Sequence, residues 1–361
     1  MKILIVVGTR PNFIKITQFK KVASTKSNVE IKIVHSAQHY DTEMSKVFFE
    51  EFNLEIDKIL NTDRSSTLKH IATTIIELEK YITKEFYPDV ILVPGDVNTT
   101  LSVGITANKL GIKLGHIESG LRSFDREMPE EINRVLVDEI TDYYFVTEIS
   151  GVNNLLNEGK SKKKIHFVGN TMIDTLVNFD NKIDHSTIIK NIGMKGPFAL
   201  ITFHRPSNVD KKEDLIKIID ILKYISKHLN AIFVLHPRTI KNLESFNLLN
   251  QLNSTENIYS IQPLGYFDFQ KLIKEADFII TDSGGIQEEA TFRKTFCLTF
   301  RENTERPITC EIGSNTLVGT NFEKVKKEID KIIDGKVIAS QIPDLWDGNS
   351  TARIINVLLD E

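Results

Sequence analysis

Three acids stand where proton transfer would need them. Asp96 follows the apolar run Val90–Val93, Pro94 and Gly95, Glu118 follows the run from Lys113 to Ile117, and Glu130 sits beside Pro129 at the start of a helical pattern. Acids that close neighbouring strands meet at one sheet edge. Carboxylates facing one pocket raise each other's pKa and hold different protonation states, which suits removal and return of a proton. For Glu130, the ordinary chemistry of a first helical turn after proline stands as an equal reading.

A second stretch, Ala276 to Ala290, reads as a short buried strand (Phe278 to Thr281), a break at Ser283-Gly284-Gly285 and a helix from about Ile286. Unpaired N–H groups and the positive end of the macrodipole make such a helix start an anion site, and glycines let a phosphate approach the backbone. Of the two acids in the first turns, Glu288 and Glu289, one complements the dipole and the other lies where a carboxylate accepts from ribose hydroxyls. A ligand-free strand-to-helix turn has the same pattern, so both readings stay open on these residues alone.

Further polar groups follow other strands. His204-Arg205 comes after Phe198–Phe203 and His236-Pro237-Arg238 after Ala231–Leu235, an arrangement that favours phosphate contacts over isolated structural histidines. Phe269, in Pro263 to Phe269, offers an aromatic face to a base, with core packing as its default role. Arg306 belongs to a charged loop, Arg301 to Pro307, at the rim of an expected cleft. The first strand ends in Gly8-Thr9-Arg10-Pro11 with Lys15 one turn on; Arg10 can grip a phosphate bidentately and Lys15 adds a point charge, though by themselves they read first as a surface pair on a first helical turn. This is not the GxGxxG of a dinucleotide site.

The elements that position these groups alternate. Strands are expected at Lys2–Val7, Glu30–His35, Val90–Val93, Lys113–Ile117, Tyr143–Val146 and Ile165–Val168, with helices near 12–24, 41–51, 67–87, 98–110, 129–141 and 149–158. Continuous Val/Ile/Leu runs between helices indicate strands covered on both faces, hence an α/β doubly wound parallel sheet. The polar segment 181–197 reads as a linker. A second alternation follows, with strands at Phe198–Phe203, Ala231–Leu235, Ile258–Ile261, Phe278–Thr281, Thr295–Phe300 and Thr316–Val318 and a last helix near 350–359. Two Rossmann-like domains are expected, 1–180 joined by a C-terminal helix within 345–361, and 181–344, with a ligand in the cleft between them.

Bulk properties narrow the class. With 45 basic and 49 acidic residues spread along the chain, no nucleic-acid footprint is visible. Two cysteines supply neither a disulfide framework nor metal-ligand spacing, which fits a reducing cytoplasm, and no stretch is long and apolar enough for a membrane span.

As a set, Gly8-Thr9-Arg10-Pro11 with Lys15, Gln38-His39, Gly95-Asp96, His116 to Arg122, Pro129 to Arg134, His204-Arg205, His236-Pro237-Arg238, Asp282 to Glu289 and Thr304 to Pro307 resembles the non-hydrolysing UDP-N-acetylglucosamine 2-epimerases, in order from residue 8 to about 320. The resemblance implies a glycosyltransferase-B-like pair of domains, a homodimer, a UDP-sugar substrate, and no metal or nicotinamide cofactor. It implies epimerisation at C2 by anti elimination of UDP to a 2-acetamidoglucal and re-addition from the other face. In that scheme Asp96, Glu118 and Glu130 are the acid/base candidates, joined by His204. Arg10, His204, Ser283, Gly284 and Gly285 hold the diphosphate, Glu289 the ribose and Phe269 the uracil, while Lys15 and Arg134 orient the site. Which acid removes the proton stays open, as do two alternatives: a 2,3-diacetamido-2,3-dideoxy uronic acid substrate, and hydrolysis to N-acetylmannosamine and UDP. Pro11-Asn12 after Arg10 favours the reversible enzyme. Regulated bacterial members carry arginine where this chain has Pro206-Ser207-Asn208, and Asn61 to Thr67 lacks their Gly-Gln pattern, so the resemblance does not carry their allosteric control to this chain.

Overall fold

Apolar runs too continuous to face water on either side build the two sheets of this protein. The structure, a computed structural model, describes residues 1–38, 49–336 and 340–360. The chain divides into two compact units, Met1–Asn178 with Asp344–Glu361, and Phe179–Pro343.

The first unit holds a seven-stranded parallel sheet: β1 Lys2–Val7, β2 Glu30–His35, β3 Lys58–Ile59, β4 Val90–Pro94, β5 Lys113–Ile117, β6 Tyr143–Val146 and β7 Ile165–Phe167, in the order β3-β2-β1-β4-β5-β6-β7. The second holds six parallel strands: β8 Phe198–Thr202, β9 Asn230–Val234, β10 Ile258–Ile261, β11 Phe278–Thr281, β12 Phe296–Thr299 and β13 Asn315–Leu317, in the order β10-β9-β8-β11-β12-β13. Both are doubly wound α/β sheets, as expected. In each, the order reverses once, between β1 and β4 and between β8 and β11, and that is where open sheets of this kind bind ligands.

Alternation along each strand feeds two cores. On β8, Ala199 and Ile201 enter one buried cluster with Phe278 and Ile280 of β11, while Phe198 and Leu200 enter another with Ile279 on the opposite face. The helix Thr67–Lys84 shows the matching helical logic: Ser66 caps it by accepting from Lys69 N at 3.3 Å, and His70, Thr74, Leu78, Tyr81 and Ile82 form its buried stripe.

Several expected boundaries move. The single helix expected over 12–24 is two, Arg10–Ile14 and Phe19–Ala23, because the Thr175 hydroxyl takes the Ile14 carbonyl that a continuing helix would use. The expected linker 181–197 is largely helical, as the end of Thr171–Asp184 and then Ile188–Ile192; the sparse but buried Ile183, Ile188 and Met194 anchor an otherwise polar surface. The short β3 has too few residues to carry a period. The helix expected at 41–51 falls largely outside the described residues, as does His39. The chain's last helix, Ser350–Asp360, packs in the first unit: Asp174 accepts from Ser350 N at 3.0 Å and Thr351 N at 2.6 Å, and buried Trp346 donates to the Thr147 carbonyl at 2.9 Å. No helix among the described residues is long and apolar enough to cross a membrane.

Candidate active site

In the first unit the loops after β1, β4 and β5 carry the polar groups. Asn12 Oδ1 accepts from Gly8 N, Thr9 N and the Thr9 hydroxyl, each at 3.1 Å, and Asn12 Nδ2 donates to the Pro94 carbonyl at 3.2 Å. One amide thereby ties together the two loops at the point where strand order reverses. Arg10 opens the short helix behind this turn and is half-buried. Lys15, just past that helix, reaches back so that its Nζ lies 2.7 Å from Glu118 Oε2, with both side chains almost wholly buried.

Glu118 has φ 72°, a left-handed conformation that residues with side chains rarely adopt and that persists where surrounding contacts enforce it. Those contacts are visible. Glu118 N and Ser119 N both donate to the Phe145 carbonyl, at 3.0 and 3.2 Å, and Gly120 N donates to Asp138 Oδ2 at 3.0 Å. Gly95, also left-handed, borders the ion pair: a Cβ there would lie 3.1 Å from Lys15 Nζ and 3.8 Å from Glu118 Oε2. Asp96 follows, its Oδ2 2.6 Å from Arg134 Nη2, while Arg134 Nη1 lies 2.6 Å from Glu131 Oε2. The structure therefore gathers Lys15, Asp96 and Glu118, on adjoining loops of one unit, with Arg134 of the helix Pro129–Glu139.

Beneath them runs a buried relay of fixed contacts. His116 Nδ1 lies 2.7 Å from Asp138 Oδ1 and its Nε2 lies 2.8 Å from the Gly95 carbonyl. Both partners are acceptors, so satisfying both needs a hydrogen on each ring nitrogen. Burial alone would raise the Asp138 carboxyl, but His116 and Arg122 outweigh it and hold it below the usual carboxylate range. This pair fixes Gly95 from one side and Gly120 from the other.

In the second unit the groups follow β8, β9 and β11. Helix Gly284–Arg293 begins at the glycine pair, with Ser283 as N-cap in extended conformation and its hydroxyl making no capping bond. That leaves the first N–H groups and the Ser283 hydroxyl at a half-buried helix start, the arrangement that receives a phosphate. A Cβ on Gly284 would strike Arg306 Nη1 at 2.7 Å and Glu305 Oε1 at 2.8 Å. Arg306 is itself buried, 2.7 Å from Glu288 Oε2 and 2.5 Å from Glu305 Oε1. It packs under the turn, and Glu288 is its partner, so the expected rim arginine is an internal brace.

Glu289 is 4% exposed, beside Tyr266 and Gln270. Burial pushes its carboxyl up to about 8; Gln270 opposes the shift and the charge of Glu288 adds to it. His204 and His236 approach one another, ring centres 5.6 Å apart. His236 caps the helix Pro237–Ser245 by accepting from Arg238 N at 3.2 Å through Nδ1, which places its ring hydrogen on Nε2. Phe269 is half-buried and packs on the core cluster that includes Ile188 and Ile286.

With this geometry in hand, the comparisons decide the family. A sequence profile of UDP-N-acetylglucosamine 2-epimerase matches residues 21–359. The chain belongs to the UDP-N-acetylglucosamine 2-epimerase family. It is 43% identical to the UDP-N-acetylglucosamine 2-epimerase of Methanocaldococcus jannaschii, over 99% of each chain. It is 34% identical to the UDP-2,3-diacetamido-2,3-dideoxy-D-glucuronate 2-epimerase of Pseudomonas aeruginosa, again over 99% of each. Its fold matches the crystal structure of the M. jannaschii UDP-GlcNAc 2-epimerase in complex with UDP-GlcNAc and UDP with a TM-score of 0.91, at 41% identity over 100% of both chains.

For this epimerase, sequence reasoning passed over three groups. Glu131 was read only as part of a motif, yet it is the buried acid of the pair: it accepts from Ser123 N and Oγ at 2.9 Å and Phe124 N at 3.0 Å, while Glu130 is exposed at the second helical position. Asp138 and Asp282, both fully buried, were given no role. Asp138 follows the apolar run Val135-Leu136-Val137, and Asp282 follows the strand Phe278–Thr281 at the head of the glycine motif.

Proposed function

We propose that this epimerase interconverts UDP-N-acetylglucosamine and UDP-N-acetylmannosamine and returns UDP to the sugar instead of releasing it. The observation that carries the substrate is the full-length 43% identity to the archaeal relative of that name, against 34% to the uronate 2-epimerase. The C2 hydrogen of a 2-acetamido sugar is weakly acidic, and loss of UDP develops positive charge at C1 that helps it leave. A carboxylate takes the C2 proton, the C2–H electron pair becomes the C1=C2 bond, and the C1–O bond breaks with its pair passing to the β-phosphate of UDP. Re-addition reverses these steps with a proton delivered to the other face of C2. Two faces need two carboxyl groups, and Asp96 and Glu118 are the pair we assign, with Glu130 the third candidate; Lys15 and Arg134 orient them.

The second unit supplies the leaving group's site. Ser283 and the N–H groups of Gly284 and Gly285 take the diphosphate with His204 and His236, Glu289 takes the ribose and Phe269 lies beside uracil. Arg306 acts through Glu288 and Glu305 to keep the turn in shape. Proton NMR of the protein with UDP-N-acetylglucosamine in heavy water tests the whole. The expected result is UDP-N-acetylmannosamine with deuterium at C2 of both epimers; free N-acetylmannosamine with UDP would replace this reading by the hydrolase, and turnover of only the 3-acetamido uronic acid nucleotide would replace the substrate.

We also infer a homodimer. Leu68, Ile76 and Leu136 are exposed on the helices Thr67–Lys84 and Pro129–Glu139, apolar surface of the kind a second copy covers. Sedimentation equilibrium should give twice the chain mass, and the mass of a single chain at micromolar concentration would sink the inference.

A further inference from the structure

Asp282 is fully buried directly before the glycine turn, and nearly every donor near it belongs to the loop after β8. Its carboxylate accepts from His204 N at 3.1 Å, Arg205 N at 2.9 Å and Asn208 Nδ2 at 2.9 Å, and its Oδ1 lies 2.9 Å from His204 Nδ1. Arg205 Nε adds a bond to the Asp282 carbonyl at 2.9 Å. Burial alone would raise this carboxyl, but His204, Asn208 and Arg205 outweigh it, and it is held below the usual carboxylate range. An ionised carboxylate only accepts, so His204 Nδ1 must carry the hydrogen, and Nε2 on the 39% exposed side chain is left to face a ligand.

We propose that Asp282 is the positioning residue for His204: it holds a hydrogen on Nδ1, so that Nε2, on taking a proton, donates to the diphosphate from a constant place beside the Ser283-Gly284-Gly285 turn. The proposal rests on the reading of the second unit as the UDP site. The geometry reaches further than a structural bond. β8 and β11 are the strands between which the order reverses, and the Asp282 side chain joins their two loops, so the imidazole and the N–H groups of the turn move as one body toward a departing diphosphate. The alternative, a carboxylate that merely satisfies the loop's backbone N–H groups, would leave the ring's tautomer unconstrained.

Asp282→Asn separates the two. The amide oxygen takes over the donors of Arg205 and Asn208, and the amide NH2 then faces His204 Nδ1, which must accept; the ring switches to Nε2–H. The experiment is nitrogen-resolved NMR of the histidine rings in the full-length protein, with His204→Gln identifying the signal, alongside turnover and UDP calorimetry. The expected results are a hydrogen on Nδ1 in the unsubstituted protein, Nε2–H alone in Asp282→Asn, a fall in kcat of about 10²-fold together with weaker UDP binding, and no further loss of either when Asp282→Asn is added to His204→Gln. A ring with Nε2–H alone in the unsubstituted protein overturns the proposal without need of a variant, and so do losses that multiply in the double variant. Failure of the unsubstituted protein to bind UDP would strike the nucleotide reading instead, and the tautomer alone would then decide for Asp282.

Discussion

Replacing Asp96 by Asn lowers kcat by about 10³-fold and leaves UDP affinity within about threefold, because the change removes a proton-transfer group and none of the nucleotide's contacts. Asp96 is the cleaner test of the two assigned acids. Its side chain is 23% exposed, and its partner Arg134 keeps a second carboxylate in Glu131. Glu118→Gln should lose at least as much turnover, but it also leaves Lys15 charged and buried without its acid, a change that costs several kcal/mol in other proteins (about 3–5 kcal/mol). Its activity therefore has to be measured on protein shown to be folded. The two substitutions also distinguish the acids' tasks. Loss of the acid that returns the proton still permits elimination and leaves UDP and the unsaturated sugar in solution, whereas loss of the acid that takes it stops both. Activity of Asp96→Asn near that of the unsubstituted protein would take Asp96 out of the mechanism.

Glu289→Gln should stabilise the protein at pH 8.5 and do so much less at pH 5. The sign follows from proton binding. The folded state holds the carboxyl at about 8 and the unfolded chain near the ordinary 4.5, so between these values the folded state keeps a proton that the unfolded state has lost. Stability then falls as pH rises through that window, by on the order of 5 kcal/mol in full, and the neutral amide escapes the fall. In thermal melts the difference between variant and unsubstituted protein should widen by roughly 10 °C from pH 5 to pH 8.5. Melting curves that stay parallel across this range would mean that Glu289 is not held protonated by its surroundings. With Glu289 assigned to the ribose, the same substitution should also weaken UDP binding.

Apart from the two-residue β3, the strands were legible because most are short apolar runs, and the candidate groups because glycine, aspartate and histidine follow those runs. Lys15 and Glu118, 103 positions apart in the chain, could be named from motifs, but their 2.7 Å contact depends on β1, β4 and β5 being neighbours, and no local pattern encodes strand order. The adjacent acids Glu130 and Glu131 show a second limit. They differ by about 100° of helical phase, so one faces solvent and the other the loop at Ser123, and only the packing of the whole helix decides which. Segment 181–197 shows a third: three buried side chains, Ile183, Ile188 and Met194, are enough to seat a stretch whose composition reads as a linker. Asp282 was in plain view within its motif, yet its bonds go to residues 74 to 78 positions away.

The return of the chain to its first unit bears on how the molecule is made. Residues 179–343 form one uninterrupted segment, so the second unit needs no later part of the chain to be whole. The first unit, started earlier, has to wait: Asp174 is buried against Ser350 and Thr351, and Trp346 fills its place beside Thr147, only after residues 346–351 have been synthesised. The unit translated first is thus the last to be completed, and a nascent chain halted before residue 346 would carry an uninterrupted second unit and an unclosed first unit.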